Sequence, residues 1–312
     1  MVKIAGIDIG GTKISGAIIE NGQIVGDVVV EKTPFCTNEI LEKAFNIIEN
    51  LKTQTEISAI AIASAGAANN ENTKLIGSTG NLPADYSSVE FSKIFSEKFK
   101  LPVFIENDAN AAAYAEYKVG AAKGSQNSIA VTLGTGVGGG IIINGKLLKG
   151  KSGAAGEIGH IMLGIEPQRK CTCGQYNCFE AYASGTGFRK TIQELAVKLP
   201  EFKTSTLKNK AVSELTTYDV ISGYKTNDKF CKIAYELWEQ ELIIGLTSLA
   251  NIFDPENIVL SGGLAKEVNY AKVEKVINSK IVTTQLKLLE AQSGNYAGMI
   301  GAALLAQEKF NL

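Results

Sequence analysis

Apolar and polar positions along this chain change period several times, and each change marks an element. Residues 2–9, 14–20 and 23–32 alternate with period two and predict three strands. Asn21-Gly22, between the last two, is a tight-hairpin sequence, so the opening segment reads as a β-meander. Helical spacing follows over 39–51, then a short apolar strand at 57–63, a glycine and asparagine loop, a helix near 88–99 and a strand at 103–106. Asp108 stands where it can cap an alanine-rich helix running to about Lys118.

From residue 128 the opening pattern returns. Strands are predicted at 128–133, 137–143 and 146–148, with Asn144-Gly145 at the second hairpin. Gly11-Thr12 precedes Asn21-Gly22 by ten residues, and Gly134-Thr135 precedes Asn144-Gly145 by ten. Two copies of one supersecondary unit, facing each other across a cleft, account for this. Beyond them come a loop-like segment holding three cysteines and helices at about 187–199, 219–224 and 228–253, with a polar stretch at 201–216. A strand at 257–260 and a last helix at 297–309 complete the pattern. Strand, glycine and helix alternation throughout predicts an α/β fold.

A chain of 312 residues exceeds the usual size of one core, so two domains are expected. Composition adds glycine, with 32 residues, to an ordinary share of apolar and charged ones. A net charge of −1 with no long run of either sign carries no nucleic-acid or anionic-membrane footprint. The segment 242–253 is too short to span a bilayer and reads as a core helix. Met1-Val2-Lys3 leads into the first strand with no signal-like apolar region, which points to the cytoplasm. Five cysteines, three of them between 171 and 178, then favour a metal site over disulfides. Cys36 and Cys231 read as small buried or half-buried apolar residues.

Five groups of residues carry candidate chemistry. Asp8-Ile9-Gly10-Gly11-Thr12-Lys13 turns between two strands. Its glycines allow close approach of backbone N–H groups to phosphate, and Asp8 could hold Mg²⁺ directly or through water. By itself it is equally an ordinary glycine hairpin with an exposed lysine. Gly134-Thr135-Gly136-Val137-Gly138-Gly139-Gly140 places five glycines in a hairpin, a weakness that ligand packed on bare backbone would offset. Ser261-Gly262-Gly263 ends a strand in a place suited to a nucleotide. Three such loops favour a nucleotide site.

Glu106-Asn107-Asp108-Ala109-Asn110 joins strand to helix. There Asn107 and Asp108 could meet sugar hydroxyls, and Asp108 could act as general base, although capping is the simpler local reading. His160, Cys171, Cys173 and Cys178 follow H-x10-C-x-C-x4-C, one nitrogen and three sulfurs, the set zinc takes in closed structural sites. Glu157 and Glu180, fixed by such a metal, could accept hydrogen bonds from sugar hydroxyls; without it they read as solvated surface glutamates.

Taken in order, Asp8-Ile-Gly-Gly-Thr-Lys, Glu106-Asn-Asp-Ala-Asn, Leu133-Gly-Thr-Gly-Val-Gly-Gly-Gly, Glu157-Ile-Gly-His160 and Cys171-Thr-Cys-Gly-Gln-Tyr-Asn-Cys-Phe-Glu180 resemble the ROK family of sugar kinases, repressors and open reading frames over almost the whole chain. The resemblance implies an actin-like ATPase fold of two ribonuclease-H-type lobes. One would hold 1–118 with about 296–312, the other 119–295 with the zinc. It implies an ATP-dependent sugar kinase, with glucose as first substrate and N-acetylmannosamine, fructose or a β-glucoside as alternatives, and it implies a homodimer. Asp108 becomes the base. Gly66, Asn107, Asp108, Glu157, His160 and Glu180 become sugar contacts, His160 also on zinc. Asp8, Gly10, Gly11, Thr12, Lys13, Gly134, Thr135, Gly136, Gly262 and Gly263 become the nucleotide site, served by ATP and Mg²⁺.

Two positions depart from the family pattern. Asn177 stands where the family often has glycine, and Ala63-Ser-Ala-Gly66 replaces Gly-x-Pro-Gly, which leaves sugar specificity open. A repressor of the family would bind sugar without phosphorylating it and carry a DNA-binding winged helix ahead of Asp8, a position with no room for one in this sequence. An actin-like structural ATPase would give no reason for the zinc cluster.

Overall fold

The computed structural model describes residues 2–77, 82–164 and 168–312. Met1 and parts of the loops expected after residue 63 and around the cysteines lie outside the described residues. Contacts divide the chain into two compact units. One contains Met1–Ala130, Gly139–Gly156 and Ala291–Leu312, the other Val131–Gly138 and Glu157–Glu290.

The first sheet runs through β1 (Lys3–Ile9), β2 (Lys13–Glu20), β3 (Gln23–Lys32), β4 (Ala59–Ser64) and β5 (Val103–Asn107) in the order β3-β2-β1-β4-β5. β1 pairs antiparallel with β2 and parallel with β4, which pairs parallel with β5. Around it lie α1 (Thr37–Gln54), α2 (Phe91–Phe99), α3 (Asp108–Lys118) and, from the far end of the chain, α9 (Ala297–Phe310). The alternation of β4, Ala-Ile-Ala-Ile-Ala-Ser, sorts side chains by size. Ile60 and Ile62 join the cluster of large residues formed with α1 and α2. Ala59, Ala61 and Ala63 join a cluster of small ones with Ala111 and Ala115 of α3 and Met299, Ala302, Ala303 and Ala306 of α9. Small residues on that face let helices approach closely. A Cβ on Gly301 would fall 1.7 Å from the Ala111 carbonyl oxygen, and one on Gly6 would fall 2.5 Å from Met299 Cγ. The Glu116 carboxylate, at the end of α3, accepts the backbone N–H groups of Gln292 and Ser293 and so fixes the chain just before α9.

The second sheet repeats the first. It contains β6 (Ser128–Leu133), β7 (Val137–Ile143), β8 (Lys146–Leu147), β9 (Asn257–Ser261) and β10 (Lys287–Glu290) in the order β10-β9-β6-β7-β8. Counted from its own first strand this is again third, second, first, fourth, fifth. The two Asn-Gly turns match as well: φ is 52° and 74° at Asn21 and Gly22, and 50° and 73° at Asn144 and Gly145. Both residues are left-handed in each, as a hairpin matched to strand twist requires.

The second unit holds α4 (Glu180–Ala183), α5 (Gly185–Lys198), α6 (Thr217–Lys225), α7 (Lys229–Phe253) and α8 (Tyr270–Asn278). α7 is its spine. Trp238 is fully buried, stacks on Phe188 at 4.9 Å and donates its indole N–H to the Ala183 carbonyl at 2.9 Å. Among the described residues no helix is long and apolar enough to cross a membrane.

Some details differ from the sequence reading. Residues 119–130 and 139–156 fall with the first unit by contact, and Gly140 shows why: a Cβ there would lie 2.5 Å from Ala113 on α3. Asp108 does not cap α3. β5 continues through Asn107, so the cap shifts back one residue: the Asn107 side chain accepts the Asn110 N–H and Asp108 becomes the first helical residue. Cys36 is exposed ahead of α1, whereas Cys231 is buried on α7. α8 and β10 lie in a stretch to which the sequence pattern assigned nothing.

The α3–α9 crossing generates the first prediction. Gly301→Ala places a Cβ against backbone, which cannot move aside as a flexible side chain can, so it should destabilise by about 1–3 kcal/mol in urea unfolding. An unchanged midpoint would show that the helices separate at little cost.

Candidate functional site

In the first unit, Asp8 lies on β1 ahead of the first glycine turn. The Gly10 N–H donates to the Lys13 carbonyl at 3.0 Å, and the Thr33 hydroxyl donates to the Gly10 carbonyl at 2.6 Å, which fixes the turn from behind. Gly11, Thr12 and Lys13 are exposed, and Lys13 Nζ stands 5.4 Å from the centre of the Tyr296 ring. The start of α9 reaches both carboxylate residues. A Cβ on Gly298 would lie 3.4 Å from Asp8 Oδ2 and 3.5 Å from the Asp108 carbonyl oxygen.

Burial, with a smaller push from the negative charge of Asp108, raises Asp8 to about 7, against the pull of Lys13. Burial also raises Asp108, opposed by the Ala109 N–H that donates to its Oδ1 at 2.8 Å. The backbone N–H of Asp108 itself opposes the rise as well, and among the described residues no other residue's donor is bonded to Oδ2. Asn107, beside it, is held twice: its side-chain oxygen caps α3, and its Nδ2 donates to the Gly66 carbonyl at 3.1 Å. Gly66 has φ +110°, and a Cβ there would meet the Gly77 carbonyl oxygen at 2.3 Å, so this position excludes other residues on two counts.

In the second unit, His160, Cys171, Cys173 and Cys178 bring their donor atoms within 4.8 Å of one another. Cys173 and Cys178 sulfurs are 3.6 Å apart, and Cys171 Sγ is 3.7 Å from His160 Nδ1. A tetrahedron with metal–sulfur bonds of about 2.3 Å has edges of about 3.8 Å, so the donor set fits zinc in both chemistry and size. His160 presents Nδ1 to this group, and its Nε2 lies 4.0 Å from Glu157 Oε2. One ring thus faces the cysteines and a carboxylate from its two nitrogens.

Glu180 ties this cluster to the second glycine turn. Its Oε2 accepts the Val137 N–H at 3.0 Å, and its Oε1 accepts the Thr172 hydroxyl at 2.7 Å. A Cβ on Gly136 would collide with that carboxylate at 2.4 Å. The neighbouring Phe179 packs on bare backbone at Gly245 of α7, anchoring the loop in the core. Asn177 adopts φ +59°, the conformation a glycine would take, and its side-chain oxygen accepts the N–H groups of Gln168 and Arg169 at 3.1 Å each. The departure from the family pattern at Asn177 is thus absorbed without moving a ligand.

Around Gly134 and Gly263 a Cβ would meet nothing within 4 Å, unlike Gly262, whose left-handed backbone packs against Leu133 at 2.5 Å. The Gly185 N–H and the Thr186 hydroxyl, at the start of α5, hold the carbonyls of Gly134 and Thr135. Ser261 meets Thr132 at 2.9 Å, which joins the third glycine loop to β6.

Each unit therefore gathers part of the sequence-predicted set. Asp8, Gly10, Gly11, Thr12, Lys13, Gly66, Asn107 and Asp108 fall in the first; Gly134, Thr135, Gly136, Glu157, His160, Cys171, Cys173, Cys178, Glu180, Gly262 and Gly263 fall in the second. Sequence reasoning missed Thr33, Thr172, Gly298, Glu106 and Lys149. Glu106 and Thr172 lie inside motifs already recognised, where neither had a role of its own; Thr33, Gly298 and Lys149 are ordinary residues in sequence, distant from their partners.

The doubled sheet, the glycine turns and the cysteine loop define a protein of the actin-like ATPase fold. A family model described as the ROK family matches residues 4–309, and the chain belongs to that family. It is 35% identical to a glucokinase of Streptomyces coelicolor over 97% of both chains. It superposes with TM-score 0.81 on a ROK family glucokinase from Streptomyces griseus in complex with glucose and AMPPNP, 30% identical, covering 98% of this chain and 99% of that one. It is also 31% identical to a xylose repressor of Bacillus spizizenii, over 98% of this chain and 77% of the repressor.

The raised Asp8 generates a prediction about stability. A carboxyl whose folded value lies above its unfolded one stabilises the fold while protonated and loses that contribution as pH rises through about 7. Urea unfolding of Asp8→Asn and wild type should therefore differ least near pH 4, the ordinary carboxylate range, and increasingly favour the variant as pH rises to 8. A constant difference across that range would contradict the burial of this charge.

Proposed function

We propose that this chain transfers the γ-phosphoryl group of ATP to the 6-hydroxyl of glucose, with Asp108 as general base. The observation that carries the proposal is the Asp108 carboxylate. It has one oxygen engaged by Ala109 and one to which no neighbouring residue donates, it sits at the start of a helix, and it lies near enough to Asp8 for their charges to interact. The glucokinase relatives support phosphorylation of a sugar, and the AMPPNP complex of the Streptomyces griseus enzyme supports ATP as donor.

As the sugar oxygen attacks the γ-phosphorus, its proton passes to Asp108 Oδ2, the bond to the β–γ bridging oxygen breaks, and ADP leaves. Asn107, Gly66, Glu157, His160 and Glu180 are proposed to bind the sugar. Asp8 with the turns at Gly10–Lys13, Gly134–Gly136 and Gly262–Gly263 is proposed to hold the nucleotide. Asp8 is the residue that would take Mg²⁺, an ion that neutralises phosphate charge. Zinc on His160, Cys171, Cys173 and Cys178 leaves no open position, so its part would be to fix His160 and the loop carrying Glu180. A cytoplasmic homodimer is part of the same proposal.

ATP consumption measured across glucose, N-acetylmannosamine, fructose and a β-glucoside tests the reading, with the highest kcat/KM expected for glucose. Turnover with none of them would overturn it in favour of a sugar-binding regulator, the reading to which the xylose repressor similarity points. Asp108→Asn should keep the glucose Kd within a few-fold and lower kcat by about 10²- to 10⁴-fold. A wild-type rate would remove Asp108 from the chemistry.

Elemental analysis should find about one zinc per chain, and Cys173→Ser should lose it and lower the Tm by roughly 5 °C or more. A metal-free protein of unchanged Tm would exclude the structural zinc.

A further inference from the structure

We infer that Glu106, charge-balanced by Lys149, is a positioning residue that sets the place of Asn107 and Asp108; the inference rests on the reading of Asp108 as the base. Glu106 is the last fully buried side chain of β5, 1% exposed, and a lone carboxylate at that depth would be costly. It is not alone. Its Oε1 accepts the Asn107 backbone N–H at 2.9 Å and Asn110 Nδ2 at 3.2 Å. Its Oε2 accepts Asn72 Nδ2 at 2.8 Å and Lys149 Nζ at 2.5 Å. Both oxygens are thus satisfied by donors from four places in the first unit: the loop after β4, the strand-to-helix junction, the first turn of α3, and the segment after β8.

Two of these donors matter for position. The Asn107 N–H is the last amide before the helix, and a bond to a charged carboxylate orients the peptide plane from which Asn107 and Asp108 project. Asn110 is the residue whose own N–H the Asn107 side chain caps, so Glu106 and Asn107 grip the same residue from two sides.

Lys149 supplies the opposite charge to Glu106, and its ammonium is largely buried, with 21% of the side chain exposed. Lys309 is the other cation in the neighbourhood; its Nζ donates to the Glu71 carbonyl, and its affinity for a proton is lowered by burial and by Lys149. Lys149 is therefore the direct partner. It stands 43 residues from Glu106 in a segment with no candidate chemistry of its own. Without it, Glu106 is an uncompensated buried charge, the Asn107 amide loses its fixed acceptor, and the base is free to shift. Displacement of about 1 Å is enough to cost on the order of 10²-fold in rate.

The test compares Lys149→Met, Glu106→Gln, the double variant and Lys151→Met with wild type. Lys151 is exposed and serves as the control. Lys149→Met should lower kcat about 10- to 100-fold while KM for ATP and for sugar stay within a few-fold. Hydrogen exchange in a peptide covering residues 105–110 should quicken in Lys149→Met and not in Lys151→Met. The double variant should lose less than the product of the two single losses, because the two residues act as one unit. If Lys149→Met does not fold, the double variant, which leaves no unpaired charge, replaces it, and reduced kcat with faster exchange is again the expected result. Wild-type kcat and exchange in the folded variant, or single losses that multiply, would overturn the inference. Should the wild-type protein turn over no sugar, the kinase reading fails separately and the exchange comparison still decides the role of Glu106 and Lys149.

Discussion

At the junction of β5 and α3 the chain must end a strand, begin a helix and keep the Asp108 carboxylate free of the cap, and the side chain of Asn107 makes the three compatible. A helix start has amide groups without internal partners. If Asp108 capped α3, as its identity invites, its oxygens would be spent on backbone. Asn107 takes the cap instead and adds a bond to the Gly66 carbonyl. Asp108 is thereby released from that duty, and the loop after β4 is tied to the same junction.

The glycines divide into two physical kinds. Gly301, Gly140, Gly136 and Gly262 are glycine because something stands where a Cβ would be: a helix backbone, an alanine, the Glu180 carboxylate, the Leu133 carbonyl. Gly134 and Gly263 have open space there. A single explanation for the five-glycine hairpin, close approach of a ligand, covers too much. Part of that hairpin is bare because the protein itself packs on it, and the positions with open space are the better candidates for a bound nucleotide.

Much of the fold was legible because its information is local. Period-two alternation and two Asn-Gly pairs located both meanders, and the duplicated unit returned as two sheets of the same strand order. α8 was missed because its buried side chains, Val273 and Ile277, give only two points of a helical pattern, and β10 because a four-residue strand carries too few alternations. The cluster of His160, Cys171, Cys173 and Cys178 was legible because three of its members lie within eight residues of one another and the fourth is the chain's single histidine. Lys149 was not, since nothing in its own neighbourhood says that it meets a carboxylate 43 residues away. The cap was misplaced by one residue because Asn and Asp both cap well and only the length of β5 decides between them.

The first unit treats its buried carboxylates in opposite ways. Glu106 is given four donors, a lysine among them, so both of its oxygens are engaged and its geometry is fixed. Asp8 and Asp108 are given each other, and burial raises the proton affinity of both. A fold selected only for stability would replace such a pair, since like charges close together in a desolvated place oppose folding. Asp108 stands two residues after a fully partnered carboxylate, so the two are treated differently within one short segment. One carboxylate is fully partnered and holds the backbone beside it, and the others are left short of partners in a buried place, which raises their affinity for a proton.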